Sequence, residues 1–212
     1  MINIRFKAYL KTLSITLCVL SLIIFSFYSY KNTHNAINLN GEQTKTFIFK
    51  GIAYDIYQLR PFDGTMSSVK KNITYKVSVR NGKVSDKIMS YYPNGNLKSM
   101  QIVKKGNGCS LFYYENGNLE AKYCLKNGQL DGIQQIFYEN GNLKIQGYFQ
   151  DNEAAGEQFW YRENGVMWYK MIFEEEKVEE FDEYGNFVKS ITSGNDLKEI
   201  VQRLKEAING WS

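Results

Sequence analysis

The chain has 212 residues, enough for one or two domains. Aromatic residues make up 15% of it, with 16 Tyr and only 2 Pro, a composition of ordered β-structure that excludes a disordered chain. The formal net charge of +4 comes from Arg5, Lys7, Lys11 and Lys31, since residues 1–31 hold no acid; what remains is neutral and shows no basic face for nucleic acid.

The first element is an apolar segment. Thr12 to Tyr30 carries no charge over 19 residues. As a helix it would span about 28 Å, close to a hydrocarbon core of about 30 Å. The cations ahead of it favour a cytoplasmic N-terminus, with the rest of the chain translocated. The run is long for a signal peptide, and FSFYSY (25–30) offers no small-x-small cleavage site. The expectation is therefore a single-pass signal anchor over residues 1–30, with a secreted, cleaved product as the alternative. Residues 31–43 are polar and Asn-rich and read as a linker. The lone His34 within it is expected to be solvated, with no partners for a metal.

Residues 44–90 read as lead-in strands, namely TFIFKGIAY (46–54), ITYKVSV (73–79) and VSDKIMSYY (84–92). Asn81-Gly82 joins the last two as a hairpin turn. Pro61 to Gly64 reads as a turn, open to being the relic of an earlier repeat.

From residue 91 to 191 the sequence repeats itself. It reads YYPNGNLK at 91–98, YYENGNLE at 113–120, FYENGNLK at 137–144 and WYRENGVM at 160–167, with a degenerate fifth copy, FDEYGNFV, at 181–188. The first four glycines, Gly95, Gly117, Gly141 and Gly165, are spaced 22, 24 and 24 residues apart, and Gly185 follows 20 later. Such a period makes each copy one supersecondary unit that depends on its neighbours. Asn-Gly between aromatic and β-branched residues predicts a hairpin with a two-residue type I′ turn. Gly82, Gly95, Gly117, Gly141, Gly165 and Gly185 are thus structural turn glycines. The links LKNGQLDG (125–132) and QDNEAAG (150–156) are rich in turn formers. The predicted fold is mainly β: a single-layer antiparallel meander of hairpins behind an N-terminal transmembrane helix. Residues 192–212 close it with an amphipathic helix, Leu197, Ile200, Val201, Leu204 and Ile208 lying at helical spacing. That helix is expected to cap the open end of the sheet and cover its edge strand.

The pattern Tyr-x-Asn-Gly-x-Leu, with a second glycine pair such as Gly128 and Gly132, resembles the bacterial MORN-variant repeat over roughly residues 85–190. The resemblance implies a repeat module rather than a reaction. Similar proteins are labelled antitoxin components, and related repeats serve as protein-docking or lipid-associated modules.

No catalytic, metal or cofactor constellation is visible. The usual base, histidine, is absent after residue 34, and the glycines sit in turns rather than in a phosphate loop. The run Glu174, Glu175, Glu176, Glu179 and Glu180 reads as a solvated face, not a glycosidase pair. Tyr91, Tyr92, Tyr113, Tyr114, Tyr138, Trp160 and Tyr161 precede the turns. Successive strand residues face opposite sides, so one ring of each pair packs and the other is a candidate docking aromatic. The expected function is a non-catalytic, membrane-anchored, extracytoplasmic scaffold that binds a protein partner through a sheet face. One alternative is an antitoxin or immunity protein. Another is a cell-wall or choline-type ligand binder, because FWYRENGVMWYK (159–170) is similar to wall-binding aromatic hairpins. Lipid or wall polysaccharide is a possible ligand; nucleic acid is not expected.

Cys109 and Cys124 form a candidate disulfide, and two registers stay open. A two-residue turn at Asn116-Gly117 places them directly opposite, at a hydrogen-bonded site with Cα atoms about 5.5 Å apart. A three-residue loop with Gly117 as a G1 bulge shifts the pairing by one and separates them.

Overall fold

The computed structural model describes residues 33–209. The expected transmembrane helix over Thr12 to Tyr30 lies outside them, and no helix among the described residues is long and apolar enough to cross a membrane. The chain divides into two compact units, one ending at Ser85 and the other starting at Asp86.

The N-terminal unit contains β1 (His34–Asn38), β2 (Gln43–Phe49), β3 (Ile52–Asp55), β4 (Gly64–Lys70) and β5 (Ile73–Arg80) in the order β5-β4-β1-β2-β3. Three expectations are corrected here. The supposed linker holds a strand, β1, because Ala36 fills the core with Ala53, Phe62, Met66 and Val79. TFIFKGIAY is not one strand but two, folded at Lys50-Gly51, where both residues have positive φ. Residues 65–70, to which the sequence alone assigns no element, form strand β4 together with Gly64. Asn81-Gly82 does make the predicted type I′ turn, with φ of 48° and 71°. Pro61 to Gly64 is not a repeat turn. It tucks Phe62 into the core, and a Cβ on Gly64 would lie 2.1 Å from the Ile37 carbonyl.

The second unit is the expected antiparallel meander. From β6 (Lys83–Tyr91) it runs through β7 (Leu97–Lys104), β8 (Asn107–Tyr113), β9 (Leu119–Lys126), β10 (Gln129–Leu130), β11 (Gly132–Phe137), β12 (Leu143–Gln150), β13 (Glu153–Tyr161) and β14 (Met167–Ile172) to β15 (Lys177–Phe181) and β16 (Phe187–Ile191). Each strand pairs with the next, β10 and β11 being two pieces of one interrupted strand against β9.

The repeat turns differ from the expected type. At Tyr114–Asn118 the Gly117 N–H donates to the Tyr114 carbonyl and the Tyr114 N–H to the Asn118 carbonyl. Gly117 alone has positive φ, at 93°. This is a type I turn closed by a G1 bulge, a three-residue loop. The turns at Gly95, Gly141, Gly165 and Gly185 share both bonds. True two-residue type I′ turns occur at the opposite edge, at Lys105-Gly106, Asn127-Gly128 and Asp151-Asn152, where both central residues have positive φ.

The longer loop would separate the cysteines, yet Cys109 lies opposite Cys124 and the two are disulfide-bonded, Cα to Cα 4.1 Å. A second irregularity restores the register. Tyr113 faces Leu119 but Phe112 faces Ala121, so Glu120 is one residue extra. Every repeat does this once, at Lys98, Glu120, Lys144, Trp168 and Val188. The cysteines form a non-hydrogen-bonded pair rather than the expected hydrogen-bonded one. The Cys124 N–H and carbonyl turn away from β8, to the Oε1 and Nε2 of Gln134. Gln134 and Gln158 are both buried, and the register jumps by two beside each. Their amides replace strand partners where the ladder opens. Gln158 donates to the Tyr148 carbonyl, while its Oε1 has no hydrogen-bond partner and sits 1.6 Å from where a Cβ on Gly147 would be.

The helix Gly194–Asn209 corrects the capping expectation. Leu197, Ile200, Val201 and Leu204 pack on Ile136, Ile145, Trp160, Met171 and Val178, so it covers a face of the sheet. β16 remains the terminal strand of the sheet, uncovered by the described residues of the helix, with Phe187 and Val188 exposed. Glu199 pairs with Arg203 at 2.5 Å, both well exposed and of little weight.

Two predictions follow from this packing. Gly147→Ala should lower stability by about 1–3 kcal/mol through overpacking against Gln158, read as a shift in the urea midpoint. Reducing the disulfide, or Cys109→Ala with Cys124→Ala, should cost about 3 kcal/mol for a loop of this length, read the same way. Unchanged midpoints would contradict each.

Candidate functional site

Following the register from strand to strand separates the two faces of the second unit. One face carries Ser90, Ser99, Phe112, Ala121, Ile136, Ile145, Trp160 and Tyr169 in one row, and Tyr123, Gln134, Gly147, Gln158, Met171 and Val178 in the next. This is the closed face. The helix covers its C-terminal part, Ser90 and Ser99 share a buried 2.7 Å hydrogen bond, and Phe112 meets Tyr123 edge-on. A pocket of about 250 Å³ remains on it, lined by Tyr123, Leu130, Gln134, Ile136, Phe149 and Asn152 among others.

Along the turn edge of the closed face, each repeat reaches for the next. The Tyr92 hydroxyl donates to the Tyr113 carbonyl, Tyr114 to Phe137 and Tyr138 to Tyr161, at 2.7–2.8 Å. Beside them the side-chain amides of Asn96, Asn118 and Asn142 donate to the carbonyls of Glu115, Glu139 and Glu163. Asn116 and Asn140 add a second bond to the same acceptors. In the fourth copy Arg162 replaces the tyrosine and donates to the carbonyls of Phe181 and Asp182. The fifth turn closes on itself, the Asn186 amide donating to Asp182. Three of the expected docking aromatics, Tyr92, Tyr114 and Tyr138, therefore have a structural role. Trp160 is 5% exposed beneath the helix and presents no surface; its indole N–H is unpaired.

The other face is open. Its first row alternates aromatic and aliphatic side chains: Tyr91, Leu97, Tyr113, Leu119, Phe137, Leu143, Tyr161 and Met167, all part-exposed. Its second row holds Met89, Met100, Leu111, Lys122, Gln135, Gln146, Phe159 and Lys170, and its third Ile102, the Cys109–Cys124 disulfide, Ile133 and Tyr148. Ile102, Ile133 and Tyr148 are exposed. Nothing among the described residues packs over these rows. Tyr91, Tyr113 and Tyr161 are the predicted docking aromatics that do lie on an accessible face. Phe137 and the leucines were missed, although the signal was present: each stands in the repeat at a fixed offset from the turn glycine.

Electrostatics separate the two ends of this face. Lys170 pairs with Glu157 and Lys177 with Glu179 toward the C-terminus. Lys122, in the second row between Leu111 and Gln135, has no ion pair among the described residues. Trp168 is stacked on Tyr169, and the Arg162 guanidinium lies 5.3 Å from its ring centre, so a cation already sits on that ring. No cluster of His, Cys, Asp or Glu among the described residues could hold a metal ion.

The family model of the MORN repeat variant matches residues 87–105, 107–127, 130–151 and 155–175. Residues 87–175 are an array of MORN-variant repeats. The fifth turn, at Gly185, lies beyond the matched segments but has the same hydrogen bonds. No curated protein matches the chain.

The ladder of phenols makes a pH prediction. Burial, and then the negative charges of Glu120 and Glu139, push the Tyr114 hydroxyl above the ordinary phenol value. Burial likewise raises Tyr92 and Tyr138. A raised pKa means the folded state holds its proton more tightly, so this contribution is complete below about pH 10 and lost as pH rises through the folded values. Tyr114→Phe should lower stability at pH 8 by about 1 kcal/mol and flatten the fall above pH 10, measured by urea unfolding at both pH values. An identical alkaline fall in the variant would contradict the assignment.

Proposed function

We propose that this protein is a non-catalytic repeat scaffold, anchored in a membrane by its N-terminal segment, that docks a protein partner on the open face of the MORN-variant array. The observation that carries the reading is the asymmetry of the two faces. One is covered over its C-terminal part by the helix and along its turn edge by the interlocked turns. The other presents an ordered alternation of tyrosine, phenylalanine and leucine with nothing among the described residues over it, and aromatic residues are favoured at protein interfaces. The anchor rests on the uncharged run behind Arg5, Lys7 and Lys11, which also favours an extracytoplasmic array. The disulfide accords with an oxidising compartment.

The test combines topology and face. A C-terminal tag on the full-length protein should be digested by protease added to spheroplasts; protection would contradict the orientation. A photo-crosslinker placed at Leu111 should capture a partner that one at Gln134, on the closed face, does not. Phe159→Asp should abolish the capture without changing the thermal midpoint by more than a few degrees. Equal capture from both faces would contradict docking on the open one.

A further inference from the structure

The chemistry of the partner can be read from the period, the hydrogen-bonding groups and the charge of the open face, given the docking reading above. Neighbouring strands lie about 4.8 Å apart, so the ridges at Tyr91, Tyr113, Phe137 and Tyr161 recur about every 9.6 Å across the strands. A polyproline II segment advances about 9.3 Å per three-residue turn. A helical heptad advances about 10.5 Å. Over three intervals the polyproline helix drifts from the ridges by about 1 Å and the α-helix by about 3 Å. Side chains on one face of an extended strand recur about every 6.7 Å and fall out of step at once.

The hydroxyls point the same way. The closed-face tyrosines spend theirs on the next repeat, whereas those of Tyr113 and Tyr161 make no hydrogen bond to the described residues. A polyproline II backbone has no internal hydrogen bonds and offers every carbonyl as an acceptor. Aromatic-lined grooves are what such segments dock into.

Charge supplies the third constraint. Between β6 and β12 the open face carries Lys87, Lys104, Lys122 and Lys126; Lys104 pairs with the Asp86 carboxylate at 3.1 Å, while Lys122 has no ion pair among the described residues. Lys122 lies part-buried between Leu111 and Gln135, and it supplies the cation that a carboxylate of the partner would complement. A second copy of this chain would set lysine against lysine, and with only two prolines, Pro61 and Pro93, it has no proline-rich segment to offer.

We propose that the open face binds an acidic, proline-rich segment of the partner in the polyproline II conformation, lying across the strands, with a carboxylate at Lys122 and backbone carbonyls on the hydroxyls of Tyr113 and Tyr161. The probe is a fluorescein-labelled peptide of four Pro-Pro-Glu triplets, titrated by anisotropy into the full-length protein in detergent. Peptides of four Pro-Pro-Lys triplets, and an acidic Glu-Ala-Ala-Leu helix of equal charge, are the comparisons. The Pro-Pro-Glu peptide should bind, the basic peptide should not, and the helix should bind at least about tenfold more weakly. Tyr113→Phe with Tyr161→Phe, which removes only hydroxyls, should weaken binding about tenfold, and Lys122→Glu should abolish it. Failure of the Pro-Pro-Glu peptide to bind, equal binding of the basic peptide, or indifference to both sets of substitutions overturns the proposal. If the acidic helix binds tightly and loses its affinity in Phe159→Asp, the docking face stands and the polyproline assignment falls. Crosslinking that does not distinguish Leu111 from Gln134 removes the docking face itself.

Discussion

Each turn of the array after the first is held by the turn before it. A hairpin of this length is marginal alone, and in a single-layer meander the strand pairing gives no reason for one turn to align with the next. The phenol of one repeat and its asparagine amides supply that reason, because they end on carbonyls at the strand tip and turn of the following repeat. Those carbonyls would otherwise lack a partner within the turn edge. The motif residues are therefore explained by neighbours some 21–23 positions away in sequence, not by their own hairpin. The ladder also carries its own stop. Arg162 makes the last outward bonds, and Asn186 spends its amide on Asp182 of its own turn.

With the turns fixed in this way, the faces follow. The G1 loop and the extra residue at Glu120 shift the pairing in opposite directions, and their combination returns every repeat to one register. Tyrosines one residue apart then separate cleanly, Tyr114 into the ladder and Tyr113 onto the open face. The same register brings Cys109 to Cys124 on that open face. Gln134 holds the backbone of Cys124 from the other side, where the strand ladder is interrupted, so the crosslink sits where pairing is weakest.

Much of this was legible before any coordinates. The period, the meander, the turn glycines and the amphipathic helix are local patterns, and local patterns survive folding. The turn type was not legible, because Asn-Gly satisfies both a two-residue I′ turn and a type I turn with a G1 glycine; the choice is made by bonds to the adjacent repeat. Of the two alternatives left open for Cys109 and Cys124, the register of one and the turn of the other are found together, since the compensating bulge at Glu120 has no signature in the residue itself. The strand at His34–Asn38 was hidden by its polar composition, only Ala36 of that segment being buried. The helix was placed at the sheet edge on the general need to cover an edge, whereas burying Trp160 and Met171 beneath Leu197, Ile200 and Leu204 removes far more apolar surface from water.

The central claim is that side-chain bonds between turns, rather than strand pairing alone, bind the repeats into one cooperative unit. Native-state hydrogen exchange on the double variant Tyr114→Phe with Asn118→Ala tests it most directly. The account predicts faster exchange at the amides flanking the Gly117 and Gly141 turns, through an opening that no longer requires the neighbouring repeat, with the turn at Gly95 unaffected. Exchange rates at all three turns unchanged from the parent protein would contradict it.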